Sequence, residues 1–341
     1  MSAFEEFSIG LGRRNFKVEQ EDTKGARALL VDQPDIVRPI CEAWVNEQGF
    51  YDETRSVTGI CGPIAHCFGA CVGDWLDSGC PEEVANWLCM RHPNTPWRQL
   101  VAYSPIGVGR PSGEKNSKTA STPAWQHWLH RAVAELCVCG AARENLHRAF
   151  QTAPLSMAAK GDYDPLLKPN RLRMVYDARE QNKQLVAPKF RLESWNTFRD
   201  LVDVDDPEEG AIYCDIRNGF WCLPEGQFTC NTSGFSVGLR SFNMMSAPQG
   251  KAPVPYHFQV IMWVLAKKFR RLGIRVLNYL DDWYFLVKRR YARLLATYIR
   301  GELRRHGFYL NDPKSSWVWA RNNVSLGVQV DLDAKKFYCP L

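Results

Sequence analysis

Two adjacent carboxylates, Asp281 and Asp282, stand between two apolar runs in the stretch IRVLNYLDDWYFLV, residues 274–287. Both runs are rich in β-branched and aromatic residues, which predicts two strands joined by a tight turn. Unpaired carboxylates beside buried strands are costly, so the fold must turn them towards solvent or neutralise them. A divalent cation at the tip of the hairpin would neutralise them. An ordinary solvated β-turn fits the same residues, because Asp is common in turns.

A third carboxylate, Asp215, ends another apolar run in AIYCDIRNGFWCL, residues 211–223, and is soon followed by Asn218 and Gly219. This pattern predicts a buried strand that delivers one acid at its end. A site for two metal ions about 4 Å apart needs acids from separate strands that meet at one place. The two stretches therefore predict a phosphoryl-transfer site built from distant parts of the chain.

Residues 279–282 (YLDD) resemble the Tyr-x-Asp-Asp box of reverse transcriptases, and residues 215–220 (DIRNGF) resemble the first catalytic-acid motif of that family. Four other blocks stand in the order of the family: the fingers motif at 168–183, the Pro-Gln-Gly motif with Pro248, Gln249, Gly250, Pro255, Phe258 and Gln259, the next motif with Gly307 and Lys314, and the last with Leu326 and Gly327. The resemblance implies a nucleotidyltransferase, an RNA-directed DNA polymerase that extends a primer 3′-hydroxyl with deoxynucleotides.

Two segments, GIRVLNYLDDW and HGFYLNDPKSS, are most similar to the DIRS-like, tyrosine-recombinase group of retrotransposons. Many DIRS-like relatives carry an aromatic residue where Gln249 stands. At this position the chain is more similar to retroviral enzymes.

The resemblance also implies roles for the acids. Asp215, Asp281 and Asp282 would hold two Mg²⁺ ions, with the backbone carbonyl of Ile216 as a further ligand and Mn²⁺ as a second candidate ion. One ion would lower the pKa of the primer 3′-hydroxyl, and the other would neutralise charge on the triphosphate. Asp282 could instead be a structural acid. Lys314 stands where the family has a lysine proposed to protonate pyrophosphate, although a surface lysine explains it equally well.

Nucleotide contacts are implied for six residues: Lys168, Arg171, Arg173, Phe220, Gln249 and Gly250. Arg173 would grip the incoming triphosphate, supported by Lys168 or Arg171, because the guanidinium fork matches phosphate oxygens. Phe220 would be a steric gate that rejects a ribose 2′-hydroxyl, which favours DNA synthesis over RNA synthesis. Without the resemblance, Phe220 would be read as a core aromatic residue. Gln249 and Gly250 would lie beside the nucleotide and the template base, with glycine permitting close backbone approach.

These motifs predict an α+β chain with the fingers and palm of a right-hand polymerase, an antiparallel palm sheet and a helix near 254–272. We expect four regions: a mostly helical N-terminal region at 1–103 with no catalytic motif, a flexible linker at 104–123, connecting helices at 124–153, and fingers and palm at 154–341. Only 14 residues follow Gly327, so a thumb is expected to be absent. A catalytically silent or truncated nucleic-acid-binding protein derived from a reverse transcriptase is the alternative.

The 341 residues are 45% hydrophobic and 23% charged, which is typical of globular proteins and excludes wholesale disorder. Residues 1–150 carry 15 basic and 18 acidic residues, whereas the remainder carries 28 and 19. The second part is therefore predicted to bind a polyanion, an RNA or DNA template with its primer. Basic clusters at 267–271 and 288–290 could contact phosphates or could be solvated helix faces.

No apolar stretch is long enough for a membrane span, and the amino terminus is acidic where a signal peptide would be basic. We expect an intracellular protein without a membrane partner, nuclear or cytoplasmic. The 12 cysteines are expected to be buried free thiols rather than disulfides. The N-terminal region could bind an element-encoded or host protein.

Overall fold

The computed structural model describes residues 72–88, 123–145, 151–159, 172–183, 185, 187–225, 230, 232–325 and 328–338. Most of the predicted N-terminal region and linker lies outside the described residues. Lys168, Arg171, Leu326 and Gly327 also lie outside them. The predicted division into four regions stays a prediction.

The centre of the fold is a four-stranded antiparallel sheet in the order β7-β8-β4-β9. Its strands are β4 (Glu209–Asp215), β7 (Arg275–Tyr279), β8 (Asp282–Lys288) and β9 (Ser316–Ala320). The register of β4 and β8 places Asp215 opposite Asp282. The predicted antiparallel palm sheet is confirmed, and its register brings acids from distant parts of the chain to one end.

The central strands β4 and β8 are buried on both faces, and alternate residues of each strand face opposite sides. On one face Trp283 and Phe285 stack on each other and pack under Phe269 of helix α6 (Val254–Arg271). On the other face Tyr284 packs against Phe198 of helix α5 (Trp195–Leu201). Burial on both faces explains why β8 reads as a continuous apolar run instead of an alternating one. The helix predicted near 254–272 is confirmed by α6.

Other elements surround the sheet. The remaining helices are α1 (Val72–Asp77), α2 (Glu82–Leu88), α3 (Pro123–Val138), α4 (Arg179–Asn182) and α7 (Ala292–Arg305). Short 3₁₀ turns span Gly219–Cys222 and Arg289–Tyr291. The other strands are β1 (Ala142–Glu144), β2 (Leu155–Ala159), β3 (Leu172–Tyr176), β5 (Gly234–Val237), β6 (Arg240–Met244), β10 (Asn322–Ser325), β11 (Val328–Asp331) and β12 (Lys336–Tyr338). They form a β2-β3 hairpin and two three-stranded sheets, β1-β6-β5 and β10-β11-β12.

The stretch predicted as connecting helices, 124–153, is only partly helical. Helix α3 ends at Val138, and β1 follows it and pairs with β6. Leu129, Val133 and Leu136 of α3 are buried as their helical spacing predicts. The strand was missed because residues 142–144 (ARE) carry no β-propensity of their own, and pairing with β6 decides their conformation.

Helices α1 and α2 pack on the palm, although they precede the predicted linker. Trp75 of α1 is fully buried, with its ring centroid 5.0 Å from that of His306 and 5.9 Å from that of Phe308. Ser78 Oγ lies 2.7 Å from His306 Nε2. Burial lowers the pKa of His306, which keeps this ring neutral at pH 7. Residues 72–88 therefore share a hydrophobic core with the palm.

Six cysteines among the described residues are buried thiols that form no disulfide, as predicted: Cys80, Cys137, Cys139, Cys214, Cys222 and Cys230. None of the helices in the described part of the chain is long and apolar enough to cross a bilayer.

Candidate active site

Three carboxylates meet at one end of the palm sheet. Asp215 ends β4, Asp282 begins β8, and Asp281 lies in the two-residue loop that joins β7 to β8. The Ile216 N–H donates to the Asp281 carbonyl at 2.9 Å, so the end of β4 and the β7-β8 loop are joined directly. The predicted strand, turn, strand hairpin is confirmed.

The loop contains a strained residue. Leu280 has φ 54, a left-handed conformation that costs a non-glycine residue roughly 1–2 kcal/mol. Two buried amides hold it: Gln259 Oε1 accepts the Leu280 N–H at 3.0 Å, and Asn278 Nδ2 donates to the Leu280 carbonyl at 2.9 Å. Gln259 Nε2 also donates to Asn278 Oδ1 at 2.6 Å. This network fixes the backbone that presents Asp281 and Asp282.

The electrostatics of the loop favour a cation. Burial, reinforced by the charges of Asp282 and Asp215, raises the pKa of Asp281 to about 6. Burial also raises the pKa of Asp282, against a hydrogen bond from Tyr213 that lowers it. Within the part of the chain that the structure describes, no Lys or Arg forms an ion pair with the three acids. The charge of Lys314 opposes the rise of both pKa values from a greater distance.

Neutral side chains hold two of the acids. Asn311 Nδ2 donates to Asp215 Oδ1 at 2.7 Å, and the Asp215 N–H donates to Ser315 Oγ at 3.1 Å. The Tyr213 hydroxyl donates to Asp282 Oδ1. Sequence reasoning missed Asn311, Ser315 and Tyr213. Two signals were available in the sequence. Asn311 and Ser315 stand in the segment NDPKSS, residues 311–316, which also contains Lys314. The alternation of side chains along a strand puts Tyr213 on the same face as Asp215.

The donor chemistry of the acids fits a hard divalent cation, because carboxylate oxygens are the ligands such ions prefer and no described Lys or Arg forms an ion pair with these carboxylates. Among the described residues, however, no three His, Cys, Asp or Glu side chains form a cluster that could hold a metal. Ile216 is buried and its N–H is used in the bond to Asp281. The assignment of Asp215, Ile216, Asp281 and Asp282 as metal ligands therefore stays a prediction.

Phe220 lies close to the acidic loop. It is half-buried in the 3₁₀ turn that follows Asp215, and its ring centroid is 5.1 Å from that of Phe258. A Cβ at Gly219 would lie 2.7 Å from the Phe258 ring and 3.3 Å from Asp281 Cβ. Gly219 therefore lets Phe220 and Phe258 pack beside Asp281. The role of Phe220 as a steric gate stays a prediction.

The backbone at Gly250 leaves no room for a side chain. Its φ is +121, and a Cβ here would lie 2.4 Å from the Tyr176 carbonyl oxygen. Asn182 Nδ2 also donates to the Gly250 carbonyl at 2.8 Å. The close backbone approach in this structure is to β3, and the predicted place of Gly250 beside the nucleotide and the template base stays a prediction.

The other predicted site residues that the structure describes are exposed. Arg173 is exposed on β3, where it pairs with Ala158, and Gln249 is exposed next to Gly250. Lys314 is exposed on the turn that begins at Asn311, whose carbonyl accepts the Lys314 N–H at 2.9 Å. The roles of these residues stay predictions.

Several cations of the two basic clusters, 267–271 and 288–290, form contacts within the fold. Lys268 pairs with the buried Glu302, and Arg270 pairs with Glu193. In the second cluster, Lys288 pairs with Asp206 and with Glu209. Arg289 lies over the Trp319 ring at 5.3 Å, and Arg290 lies over the Tyr291 ring at 5.0 Å. These five cations have contacts within the fold, whereas Lys267 and Arg271 are exposed. A role of the clusters in phosphate binding stays a prediction.

Solved structures of reverse transcriptases are similar to this chain. The foamy viral protease-reverse transcriptase in complex with dsDNA aligns with a TM-score of 0.57 at 19% identity, over 70% of this chain and 45% of that chain. The same viral protein with an RNA/DNA hybrid gives a TM-score of 0.53 at 18% identity, over 67% and 29%. The native prototype foamy virus protein gives 0.50 at 18% identity, over 65% and 27%.

This chain spans less than half the length of each of these neighbours. No family model and no curated protein matches it. The chain has the fingers-and-palm fold of reverse transcriptases.

Proposed function

We propose that this chain is the RNA-directed DNA polymerase domain of a retrotransposon-type element. The observation that carries the proposal is the register that sets Asp215 opposite Asp282, with Asp281 in the adjoining loop. The solved neighbours of the same fold are reverse transcriptases, two of them described with dsDNA or with an RNA/DNA hybrid. We infer that this chain likewise binds a template and primer. The two segments similar to DIRS-like elements support that subgroup.

Asp215 and Asp281, with Asp282 and the Ile216 carbonyl, are the ligands in this proposal. Mg²⁺ or Mn²⁺ held there would lower the pKa of the primer 3′-hydroxyl and would neutralise charge on the nucleotide triphosphate. The Leu280 turn holds the ligands in place, which removes the need to order them during the reaction.

Other residues bind the nucleotide in this mechanism. Arg173, with Lys168 or Arg171, grips the triphosphate, and the Phe220 ring excludes a ribose 2′-hydroxyl. Gln249 and Gly250 lie beside the nucleotide and the template base. Lys314 gives its proton to the leaving pyrophosphate.

Primer extension on an RNA template with Mg²⁺ and deoxynucleotides tests the proposal. We compare the wild-type chain with Asp281→Ala and with Asp200→Ala, an exposed acid on α5 whose side chain is 72% accessible. The wild type and Asp200→Ala should incorporate nucleotides, and Asp281→Ala should not. Equal background incorporation by all three chains would overturn the proposal.

A catalytically silent nucleic-acid-binding protein is the second candidate. It is the alternative that the sequence leaves open, because the same basic second part of the chain could bind nucleic acid without catalysis. Binding to a primer–template that weakens with salt, without incorporation, would support it. Salt-sensitive binding together with incorporation that requires Asp281 would exclude it.

A further inference from the structure

We propose that Asn311 is a positioning residue that sets the orientation of the Asp215 carboxylate for a divalent cation. This inference rests on the proposed function, because it assumes that Asp215 is a metal ligand. It concerns a residue that none of the sequence motifs singled out.

The side chain of Asn311 is not needed for the turn in which it lies. The Asn311 backbone carbonyl accepts the Lys314 and Ser315 N–H groups, each at 2.9 Å, and these bonds close the turn. An Asn in a turn often bonds its own backbone with its side chain. Here the amide reaches away from the turn and donates to Asp215 Oδ1 at 2.7 Å.

The backbone of Asp215 is fixed separately. Its carbonyl accepts the Asn311 N–H at 2.9 Å, and its N–H donates to Ser315 Oγ at 3.1 Å. Ser315 Oγ donates in turn to the Asn311 carbonyl at 2.9 Å. With the main chain held by these bonds, the freedom that remains is in the two side-chain torsions of Asp215, and the Asn311 amide restrains them through its bond to Oδ1.

The turn itself is anchored from its far side. Asp312 pairs with Arg300 at 2.5 Å and Arg304 at 3.2 Å, both on α7, and Trp317 Nε1 donates to Asp312 Oδ1 at 3.0 Å. The turn should therefore keep its place when the Asn311 amide is removed. The same anchor fixes Lys314, so Asn311 joins the turn that carries Lys314 to the strand that carries Asp215.

The chemistry of the donor matters as much as its position. A Lys or Arg at this position would orient Asp215 but would cancel the charge that attracts a cation. A neutral amide occupies one oxygen, Oδ1, and leaves the negative charge and the other oxygen available. Partners that orient metal ligands in this way typically contribute about 10- to 100-fold to metal affinity.

Binding of Mn²⁺ alone to the full chain, followed by the electron paramagnetic resonance of free Mn²⁺, tests the inference without catalysis. We expect Asn311→Ala to bind Mn²⁺ roughly tenfold more weakly than the wild type. Asn311→Leu, which keeps the volume but lacks the donor, should show the same loss. The matched control is Asn322→Ala, which removes an amide that donates to Asp331 Oδ2 at 3.4 Å in the small sheet; its Mn²⁺ affinity should equal that of the wild type.

Thermal unfolding without metal separates orientation from stability. We expect both Asn311 variants to unfold within a few degrees of the wild type, because the turn does not use the amide. Wild-type Mn²⁺ affinity in Asn311→Ala, or loss of the fold in both variants, would overturn the inference, as would Mn²⁺ binding that Asp281→Asn does not weaken. Failure of the proposed function is a different result: no primer extension by a wild-type chain that binds Mn²⁺ through these residues.

Discussion

Ionisation of Asp281 opposes folding at the candidate active site. Its carboxylate is partly buried beside two other acids, and its pKa of about 6 is well above the ordinary value of 3.8. A raised pKa in the folded state means that ionisation destabilises the fold. The stability associated with this group is present at acidic pH and is lost as the pH rises through about 6.

Asp281→Asn should therefore stabilise the metal-free protein. At pH 7.5 we expect a gain of about 1–2 kcal/mol in the free energy of unfolding, since solvent at the loop screens part of the full shift. At pH 4 the gain should disappear. Urea denaturation at both pH values measures it, with Asp200→Asn as the control. A variant less stable than the wild type at pH 7.5 would contradict this electrostatic account.

Phe220 is the residue proposed to select deoxynucleotides over ribonucleotides. If its ring is the steric gate, Phe220→Val should raise ribonucleotide incorporation relative to deoxynucleotide incorporation by about tenfold or more. Phe220→Tyr, which keeps the ring, should discriminate as the wild type does. Single-nucleotide incorporation kinetics with each nucleotide measure the ratio. An unchanged ratio in Phe220→Val would make Phe220 a core residue that packs on Phe258.

The conformation of the β7-β8 hairpin depends on contacts with helix α6. Gln259 of α6 and Asn278 of β7 are both fully buried and bond to each other and to the Leu280 backbone. A buried amide pair of this kind is stable only when both members are present, because a lone partner leaves polar groups unsatisfied.

Gln259→Leu should thus cost about 1–3 kcal/mol of unfolding free energy. Adding Asn278→Leu should cost less than the sum of the two single changes, since the two residues share bonds. Urea denaturation of both single variants and the double variant tests this. Strictly additive effects would show that the two amides act independently.

The β7-β8 hairpin follows from local sequence, because two apolar, β-prone runs flank a tight turn, and the resemblance of the motifs implies helix α6. The contacts that orient the acids do not, because they depend on register and on segments far apart in the chain. Tyr213 meets Asp282 only through the pairing of β4 with β8, and Asn311 meets Asp215 across almost a hundred positions. The ion pairs of Lys268 and Arg270 were missed for the same reason.

The hydrophobic core of the palm extends to helix α1. The sequence predicts a boundary near residue 103 from composition, but tertiary packing of Trp75 against His306 and Phe308 is not visible in composition. Arg305 and Asp74 form an ion pair across the same contact. The packing of residues 72–88 therefore contributes to the stability of the palm.

Trp75→Ala should cost about 3–5 kcal/mol, as expected for removing a fully buried indole. Leu76→Ala, at a neighbouring position that is 40% exposed, should cost much less. Denaturation followed by far-UV circular dichroism measures both values. If the palm kept its wild-type stability in Trp75→Ala, α1 would be a separate unit resting on the palm surface.

We propose that Asp215 and Asp281, which come from distant parts of the chain, act in one metal-dependent site. Mg²⁺-dependent incorporation of a single deoxynucleotide on an RNA template by the wild type, Asp215→Asn and Asp281→Asn tests this proposal. We expect a loss of at least about a hundredfold in each variant, because each removes a proposed metal ligand. Wild-type incorporation by either variant would contradict it.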